Sequence, residues 1–231
     1  MSILDGVIGL VAPPTCLVCH NEGQILCHGC LAKAIVPYGE TCWSCGGKSL
    51  SGRTCPRCRA PGTPTYVWVA TTYEGVASEL LKVYKFGQLR AAANTLAAIM
   101  VDTMVDFVPK ATLIAANYLV VPVPTATSRR RQRSFDHCDL LAREVAAYLG
   151  LSYLPALGRL GQVRQVGSKR SERLTQTADK YFVRLPGLVA GRRILLIDDV
   201  VTTGGTLRAA TAALRQAGAR RVDGLVFAKR L

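Results

Sequence analysis

Negative charge is scarce in this chain: 15 acidic residues stand against 29 lysines and arginines, a formal net charge of +14. Charged residues of either sign fill only 19% of 231 positions and apolar residues 49%, which excludes disorder driven by low hydrophobicity. That length allows one good-sized core plus a small appendage. Long apolar runs are missing too, since none reaches the roughly 18 residues of a membrane-spanning helix. The N-terminal MSILDGVIGLVAPPTC is apolar, yet it lacks a basic leading region and carries Asp5. A short helix packing on the next module is expected there rather than a signal peptide, with the cytoplasm as the compartment. No G-x-x-x-x-G-K-[ST] occurs and no G-x-G-x-x-G follows a strand, which excludes a P-loop ATPase and a dinucleotide fold. Past residue 58 cysteine is nearly absent, Cys138 standing alone.

The other eight cysteines form four C-x-x-C pairs: Cys16/Cys19, Cys27/Cys30, Cys42/Cys45 and Cys55/Cys58. Two residues between thiolates let one tight turn aim both sulfurs at a tetrahedral metal, so four pairs supply two all-cysteine zinc sites. A disulfide framework or a thioredoxin-like motif fits such spacing poorly. Sequential pairing, Cys16–Cys30 and Cys42–Cys58, is expected over a cross-braced arrangement. His20 and His28 adjoin cysteines, but eight thiolates already fill two sites. Residues 1–62 carry a charge of +2 and residues 63–231 carry +12. Two loaded four-thiolate zinc sites would take the head to about −2, so it is a weak candidate for gripping a phosphate backbone by itself. A structural or docking module is the expected role. The seam RAPGTPT, Arg59–Thr65, divides a head (1–62) from a body (63–231).

From Tyr66 the pattern alternates between strand and helix. Strands are expected at 66–73, 118–124, 192–198 and 220–230, with weaker ones at 151–157 and 181–185. Helices are expected at 74–86, 89–107, 135–150 (closed by Gly150) and 205–217. Such alternation implies a mainly parallel sheet covered by helices, with functional loops at the strands' C-terminal ends.

One such end reads ILLIDDVVTTGGT, residues 194–206. Asp198 and Asp199 are expected at the tip of a buried central strand, and Thr202, Thr203, Gly204, Gly205 and Thr206 lead into a helix. Glycines let backbone N–H groups turn toward one point, threonine hydroxyls add donors, and a helix N-terminus favours an anion. Carboxylates repel phosphate but suit hydroxyls or a hydrated magnesium ion. A ligand that is both sugar and phosphate answers both halves. A second loop, Thr125–Arg133, follows a strand end and carries Ser128, Arg129, Arg130, Arg131 and Arg133, whose guanidinium forks match phosphate oxygens. A solvated basic face and a nucleic-acid contact are its other readings.

These residues carry a resemblance. ILLIDDVVTTGGT resembles the phosphoribosyl pyrophosphate (PRPP) signature of type I phosphoribosyltransferases. The order of the other motifs is similar to that of the ComF family of competence-associated proteins. Those motifs are P-x-x-C-x-x-C (Pro13–Cys19), the knuckles, Tyr73 with Lys85-Phe86, VPVP (Val121–Pro124), R-S-F-D-H (Arg133–His137) and the Gln165–Arg173 stretch. The resemblance covers nearly the whole chain. It implies an α/β fold, a type I phosphoribosyltransferase-like parallel sheet flanked by helices with a small N-terminal zinc-ribbon domain. It also implies ribose hydroxyls and magnesium-bearing PRPP at Asp198 and Asp199, and the 5′-phosphate at Thr202–Thr206. Pyrophosphate would lie at Thr125–Arg133, under a flap spanning Gln165 and Arg173. The expected cofactors are two structural Zn2+ and Mg2+ with PRPP. Arg133-Ser134-Phe135-Asp136-His137 departs from the family's usual R-G-F-N-Q, and Gln176 from its usual Asn, which bears on the exact ligand. Cys138 reads as a buried packing thiol.

Two functions of different class follow. The family implies a DNA-uptake factor that keeps a PRPP site and handles single-stranded DNA with a helicase or recombination partner. The site itself permits a phosphoribosyltransferase acting through an oxocarbenium-like transition state on an unidentified nitrogenous acceptor. No base-recognition stretch and no N-terminal glutaminase cysteine stand out. A zinc-ribbon nucleic-acid module with an inert body is a third reading.

Overall fold

The computed structural model describes residues 13–86, 91–125, 136–159 and 181–231. The expected N-terminal helix, the run Ser128–Arg133 and the stretch Gln165–Arg173 with Gln176 lie outside these residues. Chain order is α1 (His28–Ala34), a 3-10 turn (Leu50–Gly52), β1 (Val67–Thr72), α2 (Gly75–Phe86), α3 (Ala91–Val105) and α4 (Lys110–Ala115). Then come β2 (Tyr118–Pro122), α5 (His137–Leu149), β3 (Ser152–Tyr153), β4 (Leu157–Arg159) and β5 (Tyr181–Val183). Last are α6 (Pro186–Val189), β6 (Arg193–Val201), α7 (Gly205–Gln216) and β7 (Arg221–Lys229).

Five strands form one sheet in the order β1-β7-β6-β2-β3, and every neighbouring pair is parallel. The central β6 is apolar and buried on both faces, as a strand between two helical layers must be. Its side chains alternate: Leu195 and Ile197 join the core under α3 and α5, while Ile194 and Leu196 join the core under α7. Gly150 ends α5 in the left-handed region at φ 67, as its position predicts. Among the described residues no helix is long and apolar enough to cross a membrane.

Three expectations need correction. The short α4 follows Pro109 and was not foreseen, because six residues are too few to show a periodicity. The weak strand at 151–157 is two pieces: β3 extends the main sheet, and β4 pairs antiparallel with β5 in a separate ribbon. Finally, β6 runs on to Val201, so both aspartates lie inside the strand rather than at its tip. Pairing with β2 stops at Ile197, however, while pairing with β7 continues. The aspartates therefore sit just where the sheet opens on one side.

The cysteine-rich segment lies along the exposed edge of β1. Bridges Pro37↔Thr71 and Arg53↔Tyr66 run antiparallel to that strand and cover its unpaired side. Cys16, Ile25 and Leu26 enter the core on one face of the sheet, and Cys42 and Trp43 enter the core on the other.

A buried charge cluster ties β7 to β2 and to the residue just before β1. Asp223 on β7 is fully buried; its carboxylate accepts from the Tyr118 hydroxyl (2.5 Å) and the Tyr66 N–H (3.0 Å), and it forms an ion pair with Arg221, whose Nε lies 2.7 Å away. Asp223→Ala would leave Tyr118 and Arg221 without their acceptor. The expected loss is about 3 kcal/mol of unfolding free energy in urea titrations, and a loss under about 1 kcal/mol would mean that the cluster is not a structural tie.

Candidate functional site

Two four-thiol clusters stand in the head, and they group sequentially. Within each of the sets Cys16/Cys19/Cys27/Cys30 and Cys42/Cys45/Cys55/Cys58, the sulfurs lie within 4.8 Å of one another. Sulfur separations of 3.8 Å (Cys16–Cys27), 3.7 Å (Cys19–Cys27) and 3.8 Å (Cys45–Cys55) are far beyond a disulfide bond. They match the edge of a tetrahedron whose corners lie about 2.3 Å from a central zinc. Both clusters therefore fit structural zinc by donor type and by geometry.

At the C-terminal end of β6 the two aspartates take different partners. Asp199 Oδ2 receives Lys85 Nζ of α2 at 2.5 Å and His137 Nε2 of α5 at 2.9 Å. Burial pushes this carboxyl up, but His137 and Lys85 outweigh burial and hold it well below the usual carboxylate range. Asp198 Oδ1 accepts the Asp199 N–H at 2.9 Å and faces the Cys138 thiol at 3.7 Å. Burial, and then the charge of Asp199, push the Asp198 carboxyl up to about 8. One acid is thus held ionised and its neighbour is held neutral below that pH. The ligand atoms of His137, Cys138 and Asp199 also lie within 4.8 Å of one another, with Lys85 Nζ beside the same carboxylate.

Asp198 also lines a cleft of about 250 Å³, together with Thr202–Thr206. Gly204 takes the left-handed region (φ 78) at the N-cap of α7, and no side chain among the described residues caps that helix. Its first N–H groups are left to serve an oxyanion. Lys229 Nζ of β7 donates to the Thr202 carbonyl and anchors the start of the loop. The cleft therefore combines neutral hydroxyl donors, turned amides and one uncharged acid.

The departures at 136–137 have a structural account. Asp136 N-caps α5 by accepting the Asp139 N–H (3.3 Å) and also accepts the Thr125 hydroxyl (2.9 Å), tying Thr125 to the helix start. His137 is buried and bridges to Asp199. Cys138 is buried, and burial raises its thiol well above the ordinary value, so it stays protonated, as a packing thiol should.

Sequence reasoning missed four contributors. Arg159 and Tyr181 sit opposite each other on β4 and β5 and line the cleft, with the guanidinium 5.7 Å from the ring centroid. A weak strand is expected at 181–185, but nothing in the sequence announces its pairing with Leu157–Arg159, which brings both residues to the cleft. Lys85 was singled out only within the family pattern, without its partner. Trp43, inside a C-x-x-C pair, reaches the ligand loop: a Cβ on Gly204 would stand 2.2 Å from its ring.

The chain is similar to several known proteins. The phosphoribosyl transferase domain model matches residues 138–231. The competence protein ComFC of Bacillus subtilis is 25% identical over 88% of this chain and 89% of its own length. The DNA utilization protein YhgH of Salmonella typhimurium is 27% identical over 93% of this chain and 96% of its own. The chain is a homologue of ComFC and YhgH. Among solved structures, a glutamine PRPP amidotransferase from B. subtilis superposes with a TM-score of 0.43 at 19% identity, over 63% of this chain and 30% of that one.

The unequal aspartates make a pH-dependent signature. A carboxyl whose folded pKa lies above its unfolded value stabilises fully below the unfolded pKa, about 3.9 for Asp, and loses that contribution as pH rises through the folded value. For Asp198 the folded value is about 8. Asp198→Asn mimics the neutral acid, so its stability relative to the native chain should climb between about pH 4 and pH 8 in urea unfolding and level off above that. A pH-independent difference would refute the assignment.

Proposed function

We propose that this protein recognises a ribose phosphate, PRPP in the first instance, and serves in the handling of DNA taken up by the cell. The observation that carries the ligand half is the cleft in which Asp198 meets the Thr202–Thr206 loop at the uncapped start of α7. The 5′-phosphate would rest on the loop amides and threonine hydroxyls, and the ribose hydroxyls would face Asp198, with Asp199 behind it. Magnesium would arrive on the pyrophosphate, held by ligand oxygens and water, next to the Thr125–Arg133 loop. Gln165 and Arg173 would belong to a flap over the bound ligand.

The DNA half rests on similarity to proteins named for competence and DNA utilization along most of their length. Zinc in both four-cysteine clusters would give the 1–62 module its fold, docked on the 63–231 body. The partners would be single-stranded DNA and a helicase or recombination protein, and the compartment the cytoplasm. The match to the phosphoribosyl transferase domain supports a second reading, transfer of the phosphoribosyl group to a nitrogenous acceptor.

Calorimetric titration of PRPP with magnesium should show binding to the native chain and at least about tenfold weaker binding to Asp199→Ala, in which Lys85 and His137 lose their shared carboxylate. No binding by the native chain would refute the ligand reading. Sustained pyrophosphate release in the presence of a base would instead favour the transferase.

For the DNA half, single-stranded DNA binding should weaken steeply with salt. Neutralising Arg129, Arg130, Arg131 and Arg133 together should flatten the log–log slope by about 3, near 0.7 for each phosphate that no longer meets a guanidinium. An unchanged slope would place DNA elsewhere.

A further inference from the structure

The second cysteine cluster and the ligand loop meet in a single packed contact. Trp43 lies between Cys42 and Cys45, and both Cys42 and Trp43 are 0% exposed. The Trp43 ring lies so close to Gly204 that a Cβ there would come within 2.2 Å of it. A side chain at Gly204 would therefore collide with the ring, and the left-handed backbone (φ 78) would resist one as well. One turn along α7 from Gly204, Arg208 also holds the knuckle. Its guanidinium carbon lies 5.1 Å from the ring centroid, and its Nη2 donates to Ser44 Oγ at 2.6 Å. The ring's own N–H is held by Thr54 Oγ1 at 2.9 Å, and that hydroxyl donates to the Pro64 carbonyl at 2.7 Å. No rotamer change in Trp43 is possible without breaking that chain of bonds.

The backbone turn that aims two thiols at a metal is thus also the turn that presents this ring to the loop. The first cluster is placed elsewhere: its Cys16 packs in the core on the opposite face of the sheet.

We infer that Trp43 is a positioning residue for the ribose-phosphate loop, and that metal in the Cys42/Cys45/Cys55/Cys58 cluster and ligand on Thr202–Thr206 bind cooperatively. This rests on the ribose-phosphate reading above. The metal holds the knuckle in the conformation that places the ring, and the ring shapes Gly204 so that the amides at the start of α7 converge. Coupling of this kind is reciprocal: whatever factor metal adds to ligand affinity, ligand must add to metal affinity. The Cys16/Cys19/Cys27/Cys30 cluster is the internal control.

The test uses the zinc-loaded full chain with ribose 5-phosphate as the probe. Excess chelator is added with an alkylating reagent, and the freed cysteines are mapped by mass spectrometry, so each cluster's metal loss is followed without any substitution. Saturating ribose 5-phosphate should slow alkylation of Cys45 and Cys55 by about fivefold or more and leave Cys19 and Cys27 unchanged. In Trp43→Ala the protection should vanish and the ribose 5-phosphate Kd should rise by a similar factor, and Trp43→Phe, which keeps a ring against Gly204, should recover most of both. Calorimetric binding of ribose 5-phosphate with no protection of Cys45 and Cys55, or with equal protection of both clusters, would overturn the coupling. An absence of any binding to the native chain would instead overturn the ribose-phosphate reading beneath it. Should Trp43→Ala fail to fold, the native-chain protection pattern still decides the matter.

Discussion

Two adjacent carboxylates buried in a sheet cannot both stay ionised unless a cation is buried with one of them, and the rest of the site is arranged around that constraint. Asp199 receives Lys85 from α2 and His137 from α5, so two helices on the same side of the sheet converge on one oxygen. Asp198 is held neutral by burial up to about pH 8. A strand sends neighbouring side chains apart, which lets identical residues in sequence become a charged anchor and an uncharged hydrogen-bonding group. The division suits the ribose-phosphate reading proposed above, because a charged Asp198 in the cleft would repel a phosphate on the neighbouring loop.

The same constraint gives meaning to residues that otherwise look like departures. His137, where the family pattern has an amide, is the shorter-reach partner of a buried acid, and its neighbour Asp136 caps the helix that delivers it. An amide at 136 would cap α5 as well as an aspartate does. Only the aspartate brings a charge, however, and that charge is spent within the loop by accepting the Thr125 hydroxyl. Thr125 is thereby fixed to the start of α5, just after the chain leaves β2.

Much of this was legible beforehand because it depends on local chemistry. A run of apolar residues ending in Asp-Asp and Thr-Thr-Gly-Gly announces a buried strand, a turn and a helix start within thirteen residues, and spacing alone announces the thiol clusters. What escaped is made by distance in sequence. Lys85 and Asp199 are each ordinary, and neither announces that the other will neutralise it. Arg159 and Tyr181 reach the cleft only through the pairing of two three-residue strands, and α4 is too short for any periodicity. The seam at Arg59–Thr65 reads as a boundary by composition, yet side chains on its N-terminal side enter both cores.

That last point explains why the head carries thiols instead of a core of its own. A segment this small buries few large apolar side chains, Ile25, Leu26 and Trp43 among them, and those are used against the body rather than against one another. Two tetrahedral sites can fold such a segment without an internal core, because metal binding free energy then stands in for apolar burial. The arrangement leaves the head's few large apolar groups free to act outward. It covers the β1 edge with Pro37 and Arg53, fills one core with Leu26, and sets Trp43 under Gly204. Under the ribose-phosphate reading proposed above, an uncapped helix start that holds an anion gains from something rigid behind it. A knuckle held by thiol–metal geometry would be such a backing, and Trp43 is where the Thr202–Thr206 loop and that cysteine turn meet.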